Sequence, residues 1–130
     1  MIVSYLPNPE SHPLWNGIRE LLKPACEDEV LSPGEIVWIA YDGPTLFGAG
    51  TTALAEDERT AVIVACGGHR HREWVHEALR IVEAWARDAG ASRLTMRGRR
   101  GWARYVRALG WDATGTEGNK QIYEKDLARG

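Results

Sequence analysis

The chain has few devices for holding itself together other than a core. Cysteine occurs twice in 130 residues, at Cys26 and Cys66. That is too few for a disulfide framework and fits a reducing compartment. No apolar run approaches the ~20 residues of a membrane span. Pro7, Pro9 and Glu10 stand where a signal peptide would carry its hydrophobic stretch. A net charge of only −2 argues against wholesale nucleic-acid binding, though it says nothing about local patches. Internal repeats, linkers and low-complexity segments are also missing. These absences predict a cytoplasmic protein, free of membrane and nucleic acid, with residues 1–130 forming one domain.

A hydrophobic content of 44% and a charged content of 26% are ordinary for a globular chain. Tryptophan is not ordinary: there are six, at 15, 38, 74, 85, 102 and 111. They fall about one to an element, as residues that pack a core do. Periodicity predicts a strand over Ile2–Leu6 and a helix from Pro13 to Ala25. Strands follow over Ile36–Tyr41 and Thr45–Leu54, then Thr60–Ala65, whose apolar run reads as buried on both faces. Gly48 and Gly50 within the second of these predict a bulge or a close backbone approach. A long amphipathic helix carries Trp74, Ala78, Ile81, Val82, Trp85 and Ala89 on one face and ends at Gly90. A strand over Arg93–Arg97, a short helix over Gly101–Leu109 and a hairpin around Gly118-Asn119 complete the order β-α-β-β-β-α-β-α-β-β. A strand–helix–strand crossover within an otherwise antiparallel set implies a mixed sheet with helices on both faces, an α/β (α+β) fold.

The junction from Val62 to Val75 holds the densest chemistry. A strand runs through Cys66 into Gly67-Gly68, then into His69-Arg70-His71-Arg72 at the start of the long helix. Unpaired N–H groups and the helix dipole make such a place receptive to an anion. Cys66, His69, His71 and His76 are zinc-ligand types, but their spacing matches no familiar zinc pattern, so no metal is expected. The apolar strand around Cys66 argues for a small buried thiol rather than a nucleophile. Further on, six arginines fall between Arg93 and Arg107 without an acidic residue. A solvated basic face, a phosphate site and a contact with DNA or an acidic partner all remain open readings of that run.

Several phrases, in this order, resemble the GCN5-related N-acetyltransferase (GNAT) fold over residues 12–127. They are Ile36–Thr52 with its Asp42-Gly43 turn, Glu83–Gly90, Arg107-Ala108-Leu109-Gly110-Trp111 and Gln121–Leu127. The resemblance implies a mixed, mostly antiparallel sheet in which acetyl-CoA enters between the fourth and fifth strands. It implies acetyl transfer to an amine on a small molecule or a protein. Cofactor binding would fall on Ala65, Cys66, Gly67, Gly68, Arg70 and Arg72. The family's pyrophosphate loop carries glycines where this chain has His71, Glu73 and Val75, and Gly67-Gly68 would substitute as an upstream nest. Val106 stands at the position of the family's proton-donating tyrosine, so Tyr105, one residue away, is the catalytic candidate. No carboxylate lies on Thr60–Cys66 to serve as base; Glu35, Asp42 and His69 are its substitutes if the fold brings them near. Gly98-Arg99-Arg100-Gly101-Trp102 is similar to a phrase in small acetyltransferase-like proteins of tailed bacteriophages. That likeness implies a phage-encoded chain with protein partners in a virion. Two functions follow: an acetyltransferase, or the same fold without catalysis as a virion-associated interaction module.

Overall fold

The apolar and β-branched stretches become seven strands in a computed structural model that describes residues 1–26 and 30–128. They are β1 (Ile2–Leu6), β2 (Ile36–Asp42), β3 (Thr45–Leu54), β4 (Thr60–Gly68), β5 (Arg93–Gly98), β6 (Asp112–Glu117) and β7 (Lys120–Asp126). Helices α1 (Trp15–Leu22), α2 (Val75–Asp88) and α3 (Ala103–Val106) lie between them in the predicted order. All strands join one sheet, β1-β2-β3-β4-β5-β7-β6. Every neighbouring pair is antiparallel except β4 and β5. These two are joined through α2, because a strand re-entering the sheet in the same direction needs a crossover.

Alternation along the strands builds two cores. On β2, Val37 and Ile39 face α1, where they pack with Ile18, Leu22, Ala49 and Ala65. Trp38 and Ala40 face the other way and join Val75, Ala78, Val82 and Ala86 of α2, Val106 of α3, and Leu94, Met96 and Tyr123. Helices therefore cover both faces, as the crossover required. Three tryptophans, Trp38, Trp74 and Trp111, are buried, and the others sit at the edges of the cores.

The boundaries differ from expectation where backbone hydrogen bonding favours tighter turns. The first helix is shorter than Pro13–Ala25: it starts at Trp15 and gives way to a 3-10 turn over Lys23–Ala25, where Pro24 has no N–H to continue the ladder. A 3-10 turn over His71–Glu73 precedes α2, and two more flank α3. Gly90 ends α2 with φ +87°, the left-handed geometry that favours glycine there.

The second core is tied to the C-terminal strand by Glu83. Its carboxylate accepts from Lys125 Nζ of β7 at 3.1 Å and from Arg87 at 2.9 Å. Burial raises its pKa, but the hydrogen bonds and charges of Lys125 and Arg87 outweigh burial and hold it below the usual carboxylate value. A depressed carboxylate stabilises the fold above its unfolded-state pKa, and that contribution is lost as pH falls through the lower folded value. Glu83→Gln is therefore expected to destabilise the protein at pH 7 and by less at pH 3. Urea midpoints of both proteins across that range check it.

Candidate active site

β4 and β5 pair only from Thr60–Arg93 to Ile63–Met96. Immediately beyond, the register of β3 against β4 slips: Thr51 faces Ala65 and Thr52 faces Ile63, so Val64 is an extra residue. A bulge bends its strand and sharpens the twist, and at this bulge β4 leaves β5. The run was expected to be buried on both faces, but Val64 is 48% exposed because the neighbouring strand is gone. The two strands part around a cavity of about 550 Å³, within the range of small-molecule sites. Beyond Ile63, the β5-facing N–H and C=O groups of β4 have no strand partner and border this space. Such fixed backbone dipoles can orient a carbonyl without reorganising.

Ala65, Cys66, Gly67 and Gly68 all line the cleft, as does Tyr105. Gly67 and Gly68, however, are not a loop. They extend β4 three residues past the predicted end and pair with Ala49 and Gly48 of β3. A Cβ on Gly67 would strike the Leu21 carbonyl oxygen of α1, and one on Gly68 would strike the backbone of Phe47 and Gly48. The double glycine lets α1 and β3 close on the end of the strand. Burial pushes the Cys66 thiol up to about 12, so it stays protonated at neutral pH and is a poor nucleophile.

The basic loop divides. Arg70, at φ +56°, turns its guanidinium over the Phe47 ring at 4.8 Å and pairs with Glu73, donating from Nη2 at 2.6 Å. Neither Arg70 nor Arg72 lines the cleft, whereas His71 does. The likeness to a pyrophosphate loop thus places its one matching cation on an aromatic ring instead of in the gap. Among the described residues, no group of histidine, cysteine and acidic side chains is arranged to hold a metal.

On the far wall, Val106 is buried in the core and Tyr105 faces the cleft. Trp102 folds back over the end of β5, its Cδ1 within 2.9 Å of where a Gly98 Cβ would lie. Buried Tyr123 anchors the turn between them, its hydroxyl 3.1 Å from the Arg99 carbonyl and 3.3 Å from that of Arg100. Sequence reasoning did not assign Trp102 or Tyr123 to the site. The signal for Trp102 was Gly98 four residues earlier; nothing in the sequence marked Tyr123.

The cleft is electropositive. Arg97, Arg99, Arg104 and Lys120 line it, and among the described residues no carboxylate does. Arg97 is paired with Glu117, and Arg104 lies 5.2 Å from the Tyr105 ring centroid. Glu35, Asp42 and His69 do not reach the cleft. Glu35 instead accepts from Ser32 N at 2.8 Å, and His69 packs on Phe47. Of the arginine run, Arg93 belongs to the strand edge, near Glu124 at 3.8 Å.

No protein-family model matches the chain, and no curated protein matches its sequence. Solved structures do match. The aminoglycoside 6′-N-acetyltransferase from Enterococcus faecium is 12% identical, with a TM-score of 0.77 over 98% of this chain and 97% of that one. Tetrahymena GCN5 is 10% identical with a TM-score of 0.77, over 98% and 96%. A GNAT family acetyltransferase from Elizabethkingia anophelis, solved with acetyl-CoA bound, is 12% identical with a TM-score of 0.74, over 95% and 97%. The chain has the GNAT fold. No helix among its described residues is long and apolar enough to cross a membrane.

Proposed function

We propose that this fold serves here as an acetyltransferase, moving an acetyl group from acetyl-CoA to an amine. The observation that carries the reading is the parting of β4 from β5 at Val64, which opens a cleft bordered by unpaired strand backbone and by Tyr105. The residues present fit the cofactor. The gap has the volume of a small-molecule site, and Arg99 and Arg104 give its rim the charge that phosphates require. A fold neighbour holding acetyl-CoA supports the same choice.

When bound, acetyl-CoA supplies the acyl group as an activated thioester. Backbone groups at Ala65 and Cys66 orient the acyl carbonyl, and the gap holds both reactants within reach of one another. With Cys66 protonated, the amine attacks directly: a C–N bond forms as the C–S bond breaks. The Tyr105 hydroxyl gives its proton to the departing sulfur. The acceptor would enter as the free amine, because the cations of the rim disfavour an ammonium, and the proton its nitrogen sheds on becoming an amide would pass through solvent to the Tyr105 oxygen, restoring the phenol. Tyr105→Phe is expected to lower kcat about a hundredfold while the KM for acetyl-CoA changes less than twofold. Steady-state kinetics with a panel of amines measures both.

The binding step has its own test. Acetyl-CoA at a hundredfold excess over its dissociation constant should stabilise the protein by ~2.7 kcal/mol, and no thermal shift at millimolar acetyl-CoA would sink the reading. A second reading, a non-catalytic module with partners in a phage virion, is favoured by the Arg70–Glu73 pair. That pair withholds a cation and leaves a carboxylate where the family binds pyrophosphate. Unchanged stability with acetyl-CoA would promote it.

A further inference from the structure

His71 reaches across the cleft from the entrance of α2 to the far wall. Its ring centroid lies 5.2 Å from that of Trp74, at the entrance to α2. Across the gap it stands 5.5 Å from Trp102, edge to face, and 6.4 Å from Tyr105. These separations are within the contact range of aromatic pairs. Both indoles are fixed from behind. Trp74 is buried against Gly48 and donates from Nε1 to the His69 carbonyl at 2.9 Å. Trp102 lies on Gly98, and Tyr123 holds the turn before it. His71 is different. It is half-buried in a 3-10 turn, and among the described residues its imidazole makes no hydrogen bond or ion pair. Ring contacts alone keep it across the gap.

We propose that His71 is a movable crossbar over the cleft, closed while its imidazole is neutral and swung aside on protonation or when a ligand takes its place. The crossbar stands on the ring geometry; only its effect on acetyl-CoA rests on the acetyltransferase reading.

The charges around it favour the neutral closed state. His69, Arg70 and Arg72 share its loop, Arg104 faces it from α3, and Arg99 and Arg100 belong to the turn that carries Trp102. His76 of α2 meets Tyr105 with ring centroids 6.5 Å apart. The carboxylate of this loop, Glu73, is held by Arg70. Burial first, then His69 and Arg104, keep the imidazole below its ordinary value of 6.5. Swung into water, the imidazole regains its ordinary pKa. Closure is therefore complete above that value and is lost as pH falls through the depressed one.

The test uses the full chain and two variants, His71→Phe, which keeps a ring that cannot titrate, and His71→Ala, which removes the bar. Tryptophan emission is followed from pH 8 to pH 5, and acetyl-CoA affinity is measured by calorimetry at pH 7.5 and pH 5.5. The expected result is an emission transition below pH 6.5 in the unaltered protein that both variants lack. At pH 7.5, His71→Ala should bind acetyl-CoA about tenfold more tightly, since the affinity no longer carries the cost of opening. The unaltered protein should gain affinity at pH 5.5 relative to His71→Phe. A transition that persists in His71→Phe, or His71→Ala binding no more tightly than the unaltered protein, overturns the crossbar. If no protein binds acetyl-CoA, the acetyltransferase reading fails and the emission transition alone decides: its presence supports the crossbar and its absence overturns it.

Discussion

Trp74→Ala is expected to cost about 3–5 kcal/mol of stability, the range for removing a large aromatic side chain from a core. Trp74 is 1% exposed. Its six-membered ring fills the space that a side chain at Gly48 would need, and it meets Trp38 with centroids 6.0 Å apart. Neighbours cannot collapse into the vacancy, because Gly48 belongs to the middle of a strand paired on both sides. The substitution also removes the donor to the His69 carbonyl, which fixes the loop leading into α2. Trp85→Ala, within α2, should cost distinctly less, since Trp85 is only partly buried at the edge of this core. Chemical denaturation of both variants gives the comparison, and equal losses would contradict the special seat assigned to Trp74.

Gly67→Ala is the second large effect, expected at ~3 kcal/mol from overpacking. The new methyl group would meet a backbone carbonyl, that of Leu21, and not a side chain that could rotate away. Relief requires α1 to move off the sheet, and with it the wall of the cleft formed by Leu21, Pro24 and Ala25. Gly101→Ala, also beside the cleft, has open space for its methyl and no positive φ. It should be close to neutral. Thermal unfolding of the two alanine variants distinguishes a packing requirement at Gly67 from a general need for glycine around the cleft.

Much of this architecture was legible in the sequence. Period-3.6 burial along Val75–Asp88 and the β-branched runs carried the order of elements, because each depends on local pattern. Gly48 and Gly50 were legible as sites of close approach, though the sequence did not say that the approaching groups were the indoles of Trp74 and Trp38. The ends of elements were harder. Gly67-Gly68 reads locally as a turn; it is strand because β3 and α1, distant in sequence, close around it. The bulge at Val64 has no glycine to announce it, so a continuous apolar run concealed the point at which the sheet opens. Tyr105 was legible only through its neighbour: the helix turns Val106 into the core and leaves the adjacent position to face the gap. The arginine-rich loops were least legible, since whether a guanidinium meets a phosphate, a carboxylate or a ring depends on contacts that sequence spacing does not encode.

The parallel pairing of β4 with β5 spans only Thr60–Ile63 and Arg93–Met96, and this brevity divides the molecule mechanically. One leaf is β1–β4 with α1; the other is β5–β7 with α3, and the seam between them is a spine. Its closed end is pinned. Asp57 accepts from the backbone N–H groups of Arg59 and Thr60 at 2.9 and 3.0 Å, and the Arg59 carbonyl accepts from Ser92 N at 2.8 Å. Its other end is free of strand pairing. A small change of twist along so short a spine is magnified towards the open margin, where Gly68 and Gly98 stand on opposite leaves. Four residue pairs thus govern how far the gap opens, and only the last of them, Ile63–Met96, borders it.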